Sequence, residues 1–415
     1  MIKITSNDKY VGKLLCFLIF PFFTFIYNLK SLHLKSSRFI FFLWGVLFAW
    51  SMHYTNFSRG IDFLGVISEF YAVSQLSFED ILNSYETMFS DDGNIRTYEL
   101  FMFWLARLFS NNYHFLFFLA SIPFMYCMVK SIAELLKGFR VMSLPLFLAL
   151  ILFIMPKDFF SIQNFRFSTA TWLVVYATIQ YYYNNRKNYL FIILASILVH
   201  TSFIFYNLIF FSFYLFRDVK ISFWLKCYYF SIPFAFLSAD LFSGLNFSFL
   251  PDVFQRWIDA YLSEESFKTY GNLSYLNGSG FYFINAAFVI FRSIVYICLP
   301  LQMIKYSKKY SLNIENNYFF RYFLVLFIIT NLVQCIPSLG VRYLGLVRMF
   351  SIFCWVRFIP STSNSSKYLY VLFSSCFYEL IVETLAHDLM VQDFDFFIGN
   401  TFYLIYKFIG VNSLV

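Results

Sequence analysis

Apolar runs without charge recur along this chain, and several reach the roughly 17–25 residues that a helix needs to cross a bilayer. Short clusters of lysine and arginine separate them: Lys30, Lys35 and Arg38; Lys130, Lys137 and Arg140; Arg186 and Lys187; Arg217, Lys220 and Lys226. That alternation orients membrane proteins, with positive loops in the cytoplasm. It fixes the expected fold class as an all-α, polytopic integral membrane protein. Composition agrees. Of 415 residues, 60% are hydrophobic and only 13% charged, against about 25% charged in soluble domains. The net charge of +8 is dispersed among the clusters, and no nucleic-acid motif accompanies it. Seven cysteines stand singly in apolar segments, with no spacing that suits a metal or a redox pair.

Taken in order, Lys13–Tyr27 and Phe39–Met52 are the first two apolar runs. A polar segment follows, and 54–112 is expected to be a large outer loop. It is rich in Asp and Glu and carries one short interfacial helix at Glu99–Phe109. Spans are then expected near Tyr113–Met128, Val141–Met155, Arg166–His200 (a hairpin), Phe203–Leu215 and Cys227–Leu241. A second outer loop covers 243–280, with an amphipathic surface helix at Pro251–Leu262. Phe281–Met303, Tyr322–Ile336, Arg342–Trp355 and Tyr368–Ala386 complete the set, ahead of a partly apolar tail. The tally is about twelve spans in one domain, 1–415, with both termini outside.

The segment Ser161–Ser202 organises the rest. It reads as two antiparallel helices joined at the basic turn Asn184–Asn188. Arg166 opens the first helix and His200 ends the second, so the two are expected to meet at the end opposite the turn. Ionisable groups in or beside an apolar region are costly and therefore functional candidates. The outer-side set is Arg59, Asp62, Glu99, Arg166, His200, Arg342 and Arg348. Arginine presents a planar fork of donors and keeps its charge, which suits phosphate oxygens. Asp62, Glu99 and His200 are the candidate proton acceptors. The plainer readings are arginines that snorkel to the interface and a histidine that is a structural hydrogen-bond partner. Arg342 and Arg348 are six residues apart, so a helix turns them about 120° from one another, onto two walls rather than one.

Two further groups stand apart from this set. Glu379, Glu383 and His387 form a one-turn ladder, read as internal pairing with Arg292 or Arg357. Asp393-Phe394-Asp395 is a lone D-x-D, a weak signal for a divalent cation. No G-x-S-x-G, H-E-x-x-H or phosphate-loop motif is present.

Several of these short stretches recur together elsewhere. Arg59-Gly60-Ile61-Asp62 with Tyr71, Glu99 opening a short helix, Gln163-Asn164-Phe165-Arg166, and Leu198-Val199-His200-Thr201-Ser202 resemble, in this order, the EpsG-like polysaccharide polymerases. These are grouped with the Wzy-type O-antigen polymerases. The chain departs from the usual pattern in Ile61-Asp62-Phe63, where Thr-Asp-Tyr is common, and in the Asn-Phe pair before Arg166. The resemblance implies a membrane glycosyltransferase of the GT-C-like class, working without metal or other cofactor in the bacterial inner membrane. A growing glycan on undecaprenyl pyrophosphate would pass to a new lipid-linked repeat unit at the periplasmic face. On that reading Arg166 and Arg342 bind pyrophosphate, Arg348 and Arg59 support them, and His200, Asp62 or Glu99 takes the proton. Expected partners are undecaprenyl-pyrophosphate-linked oligosaccharides, membrane lipid and a chain-length regulator protein, and no nucleic acid. The residues alone leave a lipid-linked oligosaccharide flippase and an O-antigen ligase open.

Overall fold

The computed structural model describes residues 6–52, 61–73, 76–86, 96–236, 282–334, 336–360, 363–379 and 394–409. Arg59, the side chains of Asp62 and Glu379, Glu383, His387, Asp393 and the whole 243–280 loop with its expected surface helix lie outside the described residues. Every regular element among the described residues is helical.

The first apolar run is divided at Pro21. Phe20 leaves the helical region at φ −136°, ψ 73°, and proline has no N–H to continue the ladder. The run therefore forms α1 (Ser6–Ile19) and α2 (Pro21–Leu29), followed by α3 (Lys35–Trp50). The 54–112 segment holds more structure than the one helix expected of it. It contains α4 (Ile61–Ala72), α5 (Phe78–Glu86) and α6 (Thr97–Arg107). Next, α7 (Tyr113–Leu135) starts where the Asn112 side chain accepts a hydrogen bond from the His114 N–H at 2.9 Å, satisfying one orphan donor of the first turn. Its 23 residues extend about 35 Å, enough to cross a hydrocarbon core of about 30 Å.

After α8 (Leu144–Ile154) come two 3-10 turns, Met155–Lys157 and Phe160–Asn164, and then α9 (Phe165–Thr178), which ends in a π-helical turn at Ile179–Tyr183. The antiparallel partner α10 (Leu190–Val199) lies along α9: Phe167 meets His200 at one end, and Tyr176 meets Tyr189 near the other. The remaining helices are α11 (Phe203–Phe216), α12 (Ile221–Ser231), α13 (Tyr282–Lys309), α14 (Tyr318–Val333), α15 (Pro337–Phe358) and α16 (Ser363–Glu379).

Two groups of helices pack on either side of α9. On one side α2 covers α3, α3 lies against α7, and α7 lies against α9. Gly45 permits the close approach of α3 to α7, since a methyl at that position would collide with the Met125 side chain. On the other side α14 packs on α12 and α15, and α15 packs on α8 and α13. An aromatic core joins the two groups. Tyr182 stacks on Tyr322 at 5.1 Å, and Thr178 shares a 2.6 Å hydrogen bond with the Tyr206 hydroxyl. The tail returns to the start of the chain as α17 (Phe394–Ile398) and α18 (Thr401–Ile409). The Thr401 hydroxyl donates to the Phe17 carbonyl at 2.8 Å, and Phe397 sits edge-on to Phe22.

The outward faces are apolar. Phe191, Leu215 and Phe230 are 74%, 76% and 71% exposed, a pattern that costs free energy in water and none against lipid. The stretches Tyr113–Leu135 and Leu144–Tyr183 are long and apolar enough to cross a membrane. Several shorter apolar helices accompany them, Phe203–Phe216 and Tyr318–Val333 among them.

Candidate active site

The site is built around the first turn of α9, and the turn before it is pinned from three sides. The Asp158 carboxylate accepts from the Phe160 and Ser161 N–H groups at 3.1 and 3.3 Å and from the Ser161 hydroxyl at 3.3 Å. The Ser168 hydroxyl donates to the Ser161 carbonyl at 2.7 Å. The Trp172 indole N–H donates to the Lys157 carbonyl at 2.9 Å.

Arg166, in that first turn, pairs with Glu99 in the first turn of α6: Nε to Oε2 is 3.1 Å. Glu99 is 1% exposed and Arg166 20%. A buried carboxylate is stable as an anion only with such a partner. The contact fixes the guanidinium and ties α6 to α9. Beside the pair lies a cleft of about 200 Å³ between α4, the start of α6 and Gln163–Arg166. Its second charged pair is Arg96 with Glu69.

The other side of α9 has a different character. Three positively charged or imidazole groups surround the ring of Phe167, the residue after Arg166. Lys157 Nζ is 4.8 Å from the ring centroid, the Arg342 guanidinium 5.1 Å, and the His200 ring 5.3 Å, edge to face. Both cations are within the roughly 6 Å over which a cation is attracted to a ring face. Arg342 arrives on α15, which also touches the His200 turn: the Tyr343 hydroxyl reaches the Ser202 carbonyl at 3.4 Å.

His200 follows α10, in the turn that leads to α11. Its Nδ1 faces the Ser202 backbone N–H at 3.2 Å and the Ser202 hydroxyl at 2.8 Å. A backbone N–H can only donate, so Nδ1 carries the lone pair and the neutral ring keeps its proton on Nε2. Burial, then Arg342, Arg166 and Lys157, hold His200 well below the ordinary imidazole range. A neutral ring among cations presents an N–H and adds no further positive charge.

Arg166 and His200 thus meet through Phe167, as the antiparallel hairpin predicts, and Arg342 joins them. Glu99 joins through Arg166. Arg348 does not join: it is buried, with its guanidinium 5.5 Å from the Tyr296 ring of α13. Arg357 is held by the Tyr183 hydroxyl at 3.0 Å and by the Lys137 carbonyl. Asp395 of the D-x-D accepts from Tyr403 at 2.8 Å and pairs with Lys407 at 2.9 Å. Among the described residues no group of three or more His, Cys, Asp or Glu side chains converges. Lys157 and Phe167 escaped the reading of the sequence. The available signal was a lysine at the outer end of an expected span, where the positive-inside pattern disfavours one.

The EpsG family model matches residues 72–394. No curated protein and no solved structure matches the chain. The matched range contains Glu99, Lys157, Arg166, His200 and Arg342, while Arg59 and Asp62 precede it. It takes in most of the chain, and with it both sides of the α9 site, so this protein belongs to the EpsG family.

Proposed function

We propose that this protein is a polysaccharide polymerase of the inner membrane, a multi-pass enzyme with about twelve spans whose site faces the periplasm. It transfers a growing glycan from undecaprenyl pyrophosphate to the non-reducing end of a new lipid-linked repeat unit. The observation that carries this reading is the convergence of Lys157, Arg342 and a neutral His200 on Phe167, with Arg166 within electrostatic reach of His200, in a member of this family.

The bond from the reducing-end anomeric carbon to the pyrophosphate oxygen breaks, and its electron pair leaves with the pyrophosphate. The acceptor hydroxyl oxygen forms the new bond to that carbon and gives up its proton. Charge therefore develops on the leaving oxygens, and groups already oriented toward that charge lower the barrier most. Arg166, fixed by Glu99, and Arg342 are assigned to the pyrophosphate, with Lys157 beside them. His200 donates from Nε2 rather than accepting, which leaves the acceptor proton to a carboxylate. Asp62, on α4, is assigned that role, and Glu99 is assigned to orient Arg166. The exposed apolar helix faces give polyprenyl tails a lateral approach.

The test uses the purified protein in liposomes with a lipid-linked repeat unit as the sole substrate. The reading predicts a ladder of extended glycans, with one undecaprenyl pyrophosphate released for each bond formed. Movement of the repeat unit across the bilayer without extension would contradict it and favour a flippase. Transfer only to lipid A would favour a ligase.

A further inference from the structure

The cleft on the Glu99 side of α9 shares Arg166 with the proposed pyrophosphate site, but the rest of its chemistry differs from that of the Phe167 cluster. Its four charged side chains form two pairs, Glu69 with Arg96 and Glu99 with Arg166. Their formal charges cancel, so the cleft as a whole is close to neutral. The rest of the lining combines the half-buried amides of Gln163 and Asn164 with the apolar surface of Val66. The Glu69 carboxylate and the amides side by side both accept and donate, which matches adjacent hydroxyls on one ring, and the apolar patch matches its C–H face. About 200 Å³ is roughly the volume of six or seven waters, enough for one six-membered sugar ring.

We propose that this cleft is a sugar subsite that holds one uncharged pyranose ring next to the anion-binding cluster. Arg166 lines the cleft, and the following residue, Phe167, anchors the cluster, so a bound ring lies one residue from the charged site. That the ring belongs to a lipid-linked glycan rests on the polymerase reading. That the cleft binds a neutral sugar does not.

The experiment is saturation-transfer NMR on the purified full-length protein in detergent. The probes are methyl glucoside, methyl galactoside and methyl N-acetylglucosaminide. At least one glycoside should receive signal on its ring protons. The signal should fall at least fivefold in both Asn164→Ala and Gln163→Ala and persist in Arg342→Ala, all three eluting as the wild type does on gel filtration. No signal from any glycoside would overturn the proposal, as would a signal unchanged in both amide variants. Loss of signal in Arg342→Ala would move the sugar to the cationic cluster and overturn it as well. The polymerase reading fails on a different observation: sugar binding at the cleft in a protein that forms no glycan ladder in liposomes.

Discussion

The two ends of α9 are built from similar residues to opposite effect. At its far end, around the π turn, polar groups from four segments satisfy one another. Glu134 accepts from Gln180 at 3.1 Å and pairs with Lys137 at 3.4 Å. Asn184 donates to Gln180 at 3.1 Å, Arg357 is held by Tyr183 and the Lys137 carbonyl, and Arg38 lies within electrostatic reach of Glu134. At the near end Arg166 has Glu99, but Lys157 and Arg342 turn toward an aromatic ring, and His200 stays neutral among them. A π-helical turn often marks a functional site, yet here it closes a structural knot. The far end ties four segments to one another, and the near end gathers cations around one ring.

The sharpest way to break this comparison is to remove one charge from each end. Arg166→Ala should slow chain extension in liposomes by about 10²–10³-fold, the usual cost of losing a donor aimed at developing charge. Arg357→Ala should lower the yield of folded protein and leave the rate per folded molecule nearly unchanged, since its Tyr183 and Lys137 contacts lie at the far end of α9. Equal losses of rate in the two variants would erase the distinction. Next in size is the buried pair itself. Glu99→Ala strands Arg166 and should destabilise the protein by roughly 3 kcal/mol, read as a fall in thermal midpoint in detergent. The double variant Glu99→Ala/Arg166→Ala should recover part of that loss. No recovery would mean the pair is not what holds α6 to α9.

Lys157→Met keeps the length of the side chain and removes the charge. A cation over a ring is worth about 0.5–2 kcal/mol, so the fold should lose about that much stability, and extension per folded molecule should slow as well. An unchanged rate would remove Lys157 from the site.

The smallest effect is that of pH. The folded His200 resists protonation, so its contribution to stability is complete above its unfolded value near 6.5. Below that pH the unfolded ring takes up a proton that the folded ring refuses, and stability is lost as the pH falls toward the folded value. His200→Gln should therefore flatten the loss of thermal midpoint between pH 7.5 and 5.5. An identical slope in wild type and variant would show that His200 titrates normally.

How much of this was legible in the sequence depends on what each contact requires. The meeting of Arg166 with His200 follows from an antiparallel hairpin of two apolar helices around a basic turn, and needs only local pattern. Separation of the two charged ends also came from pattern, because Arg38, Lys137 and Arg186 fall in the basic clusters and do gather near one end. The rotation of α15 was not legible. It decides that Arg342 faces Phe167 while Arg348 faces Tyr296, and both lie on one apolar helix with no polar stripe to set its phase. Nor was the Glu99–Arg166 pair, which joins residues from two distant segments. The helices α17 and α18 were hidden because each is far too short to give a spanning signal, and their place depends on contacts with Phe17, Phe22 and Trp44 at the other end of the chain.

The central claim is that the near end of α9 handles the pyrophosphate. The most direct measurement is the length of surface glycan in a polymerase-deficient strain that carries Arg342→Ala, matched for membrane protein level against wild type and Arg357→Ala. The account predicts single repeat units from Arg342→Ala and full-length chains from the other two. Full-length chains from Arg342→Ala would contradict it.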